Sequence, residues 1–127
     1  MIAILVTLLG RPDNVRKMIA EWKQATAGFS ELLFAVENKD PKLSEILKEI
    51  SGFRYIQGDW DGVCQKLQDM YESFKDDKYL IYHASADDVT YSKGFDAAML
   101  SEGNYLEALT GHRCWVLYGN DMVHGQK

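Results

Sequence analysis

The chain has 127 residues, 46% hydrophobic and 26% charged, which suits one ordinary globular domain over residues 1–127 with a core that needs no disulfide or metal staple. Its 14 Lys+Arg against 19 Asp+Glu leave a formal charge of -5, which argues against a nucleic acid polymer or an anionic membrane surface as the main partner. The longest apolar stretch, Met1–Leu9, is too short for a membrane span and lacks a signal peptide's basic flank, so no membrane span and a cytoplasmic location are expected.

Ile2 to Leu9 is a β-branched and apolar run ending in Gly10-Arg11-Pro12, the pattern of a strand buried on both faces and followed by a tight loop. Pro12 suits a first helical turn, and Val15, Met18, Ile19, Trp22 and Ala25 recur at helical spacing until Gly28. Leu32 to Val36 reads as a second buried strand, after which Asp40 is expected as an N-cap and Pro41 as the first residue of a short helix through Leu43, Ile46, Leu47 and Ile50, closed by Gly52. Phe53 to Gln57 is a third strand bounded by Gly58. Val63, Leu67, Met70, Tyr71 and Phe74 then mark one face of a third helix. Asp76-Asp77-Lys78 forms a turn, and Tyr79 to His83 a fourth strand. Ser92 is expected to cap a helix carrying Phe95, Ala98, Met99 and Leu100 and ending at Gly103-Asn104. Cys114 to Tyr118 supplies a fifth strand, Gly119-Asn120-Asp121 a turn and His124 to Lys127 a polar tail.

Strands alternating with helices predict an α/β fold, a Rossmann-like three-layer α/β/α arrangement around a mainly parallel sheet. Right-handed crossovers put the strand-to-helix loops on one sheet edge, where ligands of such folds bind near the reversal of strand order. The loops of interest are therefore Thr7–Arg11, Glu37–Asp40, Gly58–Gly62 and His83–Tyr91.

Asp87-Asp88 lies on that edge, where adjacent carboxylates can hold a hard divalent cation or serve as a solvated turn. Asp76-Asp77 falls on the opposite edge and reads as surface. Arg11 stands at a helix start, a place that favours anions, or else is a plain loop residue. GxGxxG, GxxxxGK[ST] and GxSxG are all absent, which removes the signatures of a dinucleotide-binding Rossmann domain, a P-loop NTPase and an α/β-hydrolase. His83, His112 and His124 share no ligand spacing, and Cys64 and Cys114 read as buried small hydrophobes. Trp22 belongs to a helix core face. Trp60, in Gly58-Asp59-Trp60-Asp61-Gly62, either packs or stacks a base or sugar.

Three stretches resemble the N-terminal part of GT-A glycosyltransferases of the family-2 type. Ile4 to Val15 resembles the family's first strand and its Arg-Pro turn. Tyr79 to Val89 with Gly94-Phe95-Asp96 resembles the strand, the DXD-type metal motif and the helix start after it, with Ser85 where a full DXD has an acid. Tyr118 to Asp121 with His124-Gly125 resembles a downstream segment of phage- and prophage-type members. The resemblance implies a truncated GT-A domain that binds a nucleotide-diphosphate-sugar through Mn²⁺ or Mg²⁺. It makes Asp88 the metal ligand and sets Asp87 towards the ribose or sugar phosphate. Thr7 and Arg11 would lie by the nucleotide, Glu37 would meet the base, and Lys66 would stand for the family's basic residue on the third helix. Inverting members carry their catalytic base on an acceptor-binding half well beyond the metal motif, so no residue here is assigned that role. Transfer would need a partner subunit in a homo-oligomer or an acceptor-domain partner. The alternatives are a non-catalytic α/β interaction module and a degenerate relic of the fold. A nucleotidyltransferase ranks behind them, because Gly10-Arg11-Pro12 is sparse for its phosphate loop.

Overall fold

The computed structural model of the chain describes residues 1–77 and 79–111. The expected fifth strand at Cys114–Tyr118, the turn and tail after it, His112, Cys114, His124 and Lys78 lie outside the described residues.

Among the described residues the order is β1 (Ile2–Thr7), α1 (Pro12–Ala25), β2 (Ser30–Glu37), α2 (Leu43–Glu49), β3 (Arg54–Gly58), α3 (Val63–Phe74), β4 (Ile81–Ala86) and α4 (Phe95–Thr110), with a 3-10 turn at Lys75–Asp77. The strands form one all-parallel sheet in the order β3-β2-β1-β4. The fold is α/β and consistent with a Rossmann-like three-layer arrangement. β1 is central because its apolar run can be buried on both faces: Ile2, Ile4, Val6 and Leu8 join one cluster, Ala3 and Leu5 the other. The first cluster packs beneath α1, α2 and α4 through Val15, Met18, Ile19, Ile46, Ile50, Phe95 and Met99. The second is closed by α3 through Met70 and Phe74. No helix of the described residues is long and apolar enough to cross a membrane.

Several boundaries differ from the sequence expectation, each for a local reason. Leu8 still donates its N–H to Ala35, but Leu9 is exposed, so β1 stops at Thr7. β4 runs from Ile81 to Ala86 rather than from Tyr79 to His83, because its pairing follows β1 from Ile2 to Thr7. The Tyr79 hydroxyl is instead held between Glu31 and Arg54. Asp40 is not the N-cap of α2: the helix starts at Leu43, and Asp40 closes the preceding turn by accepting the Lys42 N–H. Cys64 is exposed rather than buried. Gly103 does not end α4. It is buried within a helix that continues to Thr110, a position where glycine costs only about 1 kcal/mol relative to alanine.

The connection after β4 departs furthest. Instead of entering a helix at the ligand edge, it runs beside α1, where the Gly94 N–H reaches the Ala25 carbonyl at the far end of that helix. Gly94, not Ser92, occupies the N-cap, and the Ser92 carbonyl accepts the Phe95 N–H. The anchor is Asp96, which is fully buried. Its carboxylate accepts the N–H groups of Ala27 and Phe29 and the hydroxyls of Ser30 and Thr26. Burial pushes this carboxyl up, but those hydrogen bonds outweigh it and hold the group at about 2. α4 therefore begins at the sheet edge opposite the strand ends.

Candidate functional site

The four strands of the described residues end on one edge, at Thr7, Glu37, Gly58 and Ala86. Strand order reverses between β1 and β4, since β2 and β3 lie on one side of β1 and β4 on the other. That reversal opens a crevice at the carboxyl ends of β1 and β4, the usual ligand position in open parallel sheets.

The β1–α1 loop is fixed before it reaches the crevice. Gly10 has φ +71°, a left-handed conformation that side chains disfavour, and its N–H donates to Asp40 Oδ2 at 2.7 Å. Asp40, itself buried, thus ties the β1–α1 loop to the β2–α2 loop. Arg11 follows as the N-cap of α1, and its Nη2 donates to Asp87 Oδ1 at 2.6 Å. This pair spans the crevice. Asp87 is buried and its Oδ2 has no hydrogen-bond partner. Burial raises the Asp87 carboxyl above its ordinary value, the Arg11 charge opposes that rise, and the Asp88 charge adds to it.

On the α3 face of the sheet, Lys66 is buried at the strand ends. Its Nζ lies 2.6 Å from Glu37 Oε2 and 3.4 Å from the Leu8 carbonyl oxygen, and 5.6 Å from the centre of the Trp60 ring. The expected apolar face of α3 included Val63 and Tyr71, yet both are exposed and Lys66 takes a buried position instead. A lysine can do this because its aliphatic stem packs while Glu37 meets the charge. Trp60 Nε1 donates to Asp69 at 2.7 Å. The ring lies so close to Gly58 that a Cβ there would come within 3.0 Å of a ring carbon, so the absent side chain is what lets the indole cover the end of β3.

These groups line an open cavity of about 430 Å³, in the range of small-molecule sites, walled by Thr7, Arg11, Glu37, Trp60, Lys66 and Ala86. Four of the six residues singled out from the sequence, Thr7, Arg11, Glu37 and Lys66, therefore share one wall system. Asp87 and Asp88 are not in that lining. Ala86 pairs with Thr7 across the sheet, and Asp87, one residue on, meets Arg11. Asp88 is exposed.

No three His, Cys, Asp or Glu side chains among the described residues come together to hold a metal ion. The residues present do not make a closed cage. They fit the kind of site in which one or two carboxylates and the phosphates of a ligand share a Mg²⁺-like ion, and the partnerless Asp87 Oδ2 is an oxygen suited to it. Sequence reasoning missed the roles of Asp40 and Asp96, both of which read locally as helix-start acids. His83 sits on β4 with its pKa lowered by burial and shares no cluster with other ligand-type side chains among the described residues. No protein-family model and no curated protein matches the chain.

Proposed function

We propose that the cavity binds a nucleoside diphosphate, carried by a nucleotide-sugar donor, and that the chain is a minimal glycosyltransferase-type donor-binding domain. One observation carries this reading: Thr7, Arg11, Glu37, Lys66 and Trp60, from three separate stretches of chain, line one cavity at the strand ends. Arg11 and Lys66 supply positive charge in a protein that is acidic overall, which suits a diphosphate. The amino end of α3, at Gly62 and Val63, also borders the cavity and adds its dipole. Trp60 offers an aromatic surface for a base or sugar ring. Glu37 spends Oε2 on Lys66 and keeps Oε1 for a ligand N–H or hydroxyl. Mn²⁺ or Mg²⁺, bound through Asp87 and Asp88, would neutralise charge on the departing diphosphate.

Sugar transfer further requires a base within reach of an acceptor hydroxyl, a role assigned to no residue here. The rival reading is a non-catalytic module. It is favoured by the internal pairing of Lys66 with Glu37 and of Arg11 with Asp87, which neutralises the cavity's charges without a ligand.

Calorimetric titration of UDP and GDP, with and without Mn²⁺, separates the two. Binding that strengthens with Mn²⁺ and falls at least tenfold in Lys66→Ala is the expected result, the size of loss that follows when a charged hydrogen bond to a phosphate is removed. No binding of these or of the ADP, CDP and TDP counterparts overturns the proposal in favour of the module.

A further inference from the structure

The Arg11–Asp87 pair is asymmetric. The Asp87 side chain is 1% exposed, whereas the Arg11 side chain is 56% exposed. Asp87 Oδ1 accepts from Arg11 Nη2, and Oδ2 is buried with no partner at all. A buried carboxylate without its counterion is strongly disfavoured, so Asp87 cannot give up Arg11 unless another cation or a proton replaces it. Arg11 is under no such constraint. Its guanidinium carries five donors, it is solvated on one side, and it borders the cavity in which Lys66 already gathers positive charge.

Resting on the diphosphate reading above, we propose that Arg11 is an exchangeable counterion. A phosphate entering the cavity draws the guanidinium from Asp87 to itself, and the released Asp87 carboxylate then takes up a divalent cation. Exposed Asp88 lies next in sequence to contribute a second carboxylate. Anion and cation binding are thereby linked through one side chain, and linkage is reciprocal: each ligand tightens the other by the same factor. Arg11 is the positioning residue of this exchange. A static ion pair that merely fastens two loops has no such consequence.

The test uses Mn²⁺ alone, with free ion followed by electron paramagnetic resonance and no phosphate present. Wild type should bind it weakly. Arg11→Gln, which leaves Asp87 without a counterion, should bind it roughly tenfold more tightly, a coupling of ordinary size, and adding Asp87→Asn should abolish the gain. Inorganic pyrophosphate titrated without metal reads the exchange from the other side. Asp87→Asn frees Arg11 and should raise pyrophosphate affinity by a similar factor. Equal Mn²⁺ affinity in wild type and a folded Arg11→Gln overturns the exchange. If Arg11→Gln does not fold, unchanged or weakened pyrophosphate binding in Asp87→Asn overturns it instead. Failure of the donor-binding reading looks different: nucleoside diphosphates do not bind wild type, while the Mn²⁺ gain in Arg11→Gln persists.

Discussion

Asp87 and Asp96 are both buried carboxylates, separated by one short connection, and the two sheet edges treat them in opposite ways. Asp96, at the edge where α1 ends and β2 begins, is met by three backbone N–H groups and two hydroxyls. Asp87, at the strand ends, has one partner on one oxygen and none on the other. The first carboxyl is held at about 2 and the second is pushed above its ordinary value. A saturated carboxylate has nothing left to give a ligand. It stabilises the fold, whereas the unsaturated one draws on stability contributed elsewhere, as groups at binding edges commonly do.

The comparison breaks most sharply by mutation. Asp96→Ala strands the five donors it now satisfies, and should cost about 3 to 5 kcal/mol by urea denaturation with an unchanged slope. A loss near zero would mean that water replaces the carboxylate and that the edge is not anchored there. Lys66→Ala, which leaves the Glu37 charge at the cavity without its partner, should cost about 2 to 4 kcal/mol, and Lys66→Met less.

Next in size is the pH profile. The folded Asp96 value lies below its ordinary 3.8, so the unfolded chain binds more protons over that range, and the contribution is complete above it. About 2 kcal/mol should disappear as pH falls from about 4 towards 2, and Asp96→Asn should flatten that limb. Asp87 carries the opposite sign. Its folded value is raised, so its contribution is present below the ordinary value and is lost as pH rises through the folded one. Asp87→Asn should accordingly shift stability at neutral pH by less than about 1 kcal/mol, neutral or favourable. A large destabilisation would show that the Arg11 ion pair holds the two loops together after all.

The sheet was legible because its central strands announce themselves. Ile2 to Val6 and Leu32 to Val36 are unbroken apolar runs, and both are buried throughout. The loops that meet at the strand ends followed from alternation of strand and helix. What local pattern could not reveal depends on residues far away in the chain. The apolar spacing of α3 says nothing of why Lys66 is buried, which follows only from Glu37, on β2, folded beside it. Asp96 reads as a first-turn helix acid, because four of the groups it binds lie far off in the chain, in residues 26 to 30. The path after β4 differs from the sequence expectation for the same reason, since Asp96 sets where α4 starts. Gly103 is the converse case: glycine often stops a helix, yet α4 runs past it to Thr110.

The strand order has a consequence for how the protein is made. β1 pairs with β2 from its own neighbourhood, Ile2 against Ser30, but its other edge waits for β4, Ile2 against Ile81. A nascent chain that has emerged only as far as Gly58 can zip β1, β2 and β3 together while leaving the outer backbone groups of the most apolar strand bare. That half-built sheet is the species most open to pairing with another chain, and a late, long-range closure of this kind slows folding. The β1 amides facing β4 should therefore be the last of the sheet to gain protection from hydrogen exchange during synthesis, and the interval before they do is the window in which a holdase chaperone would recognise the chain.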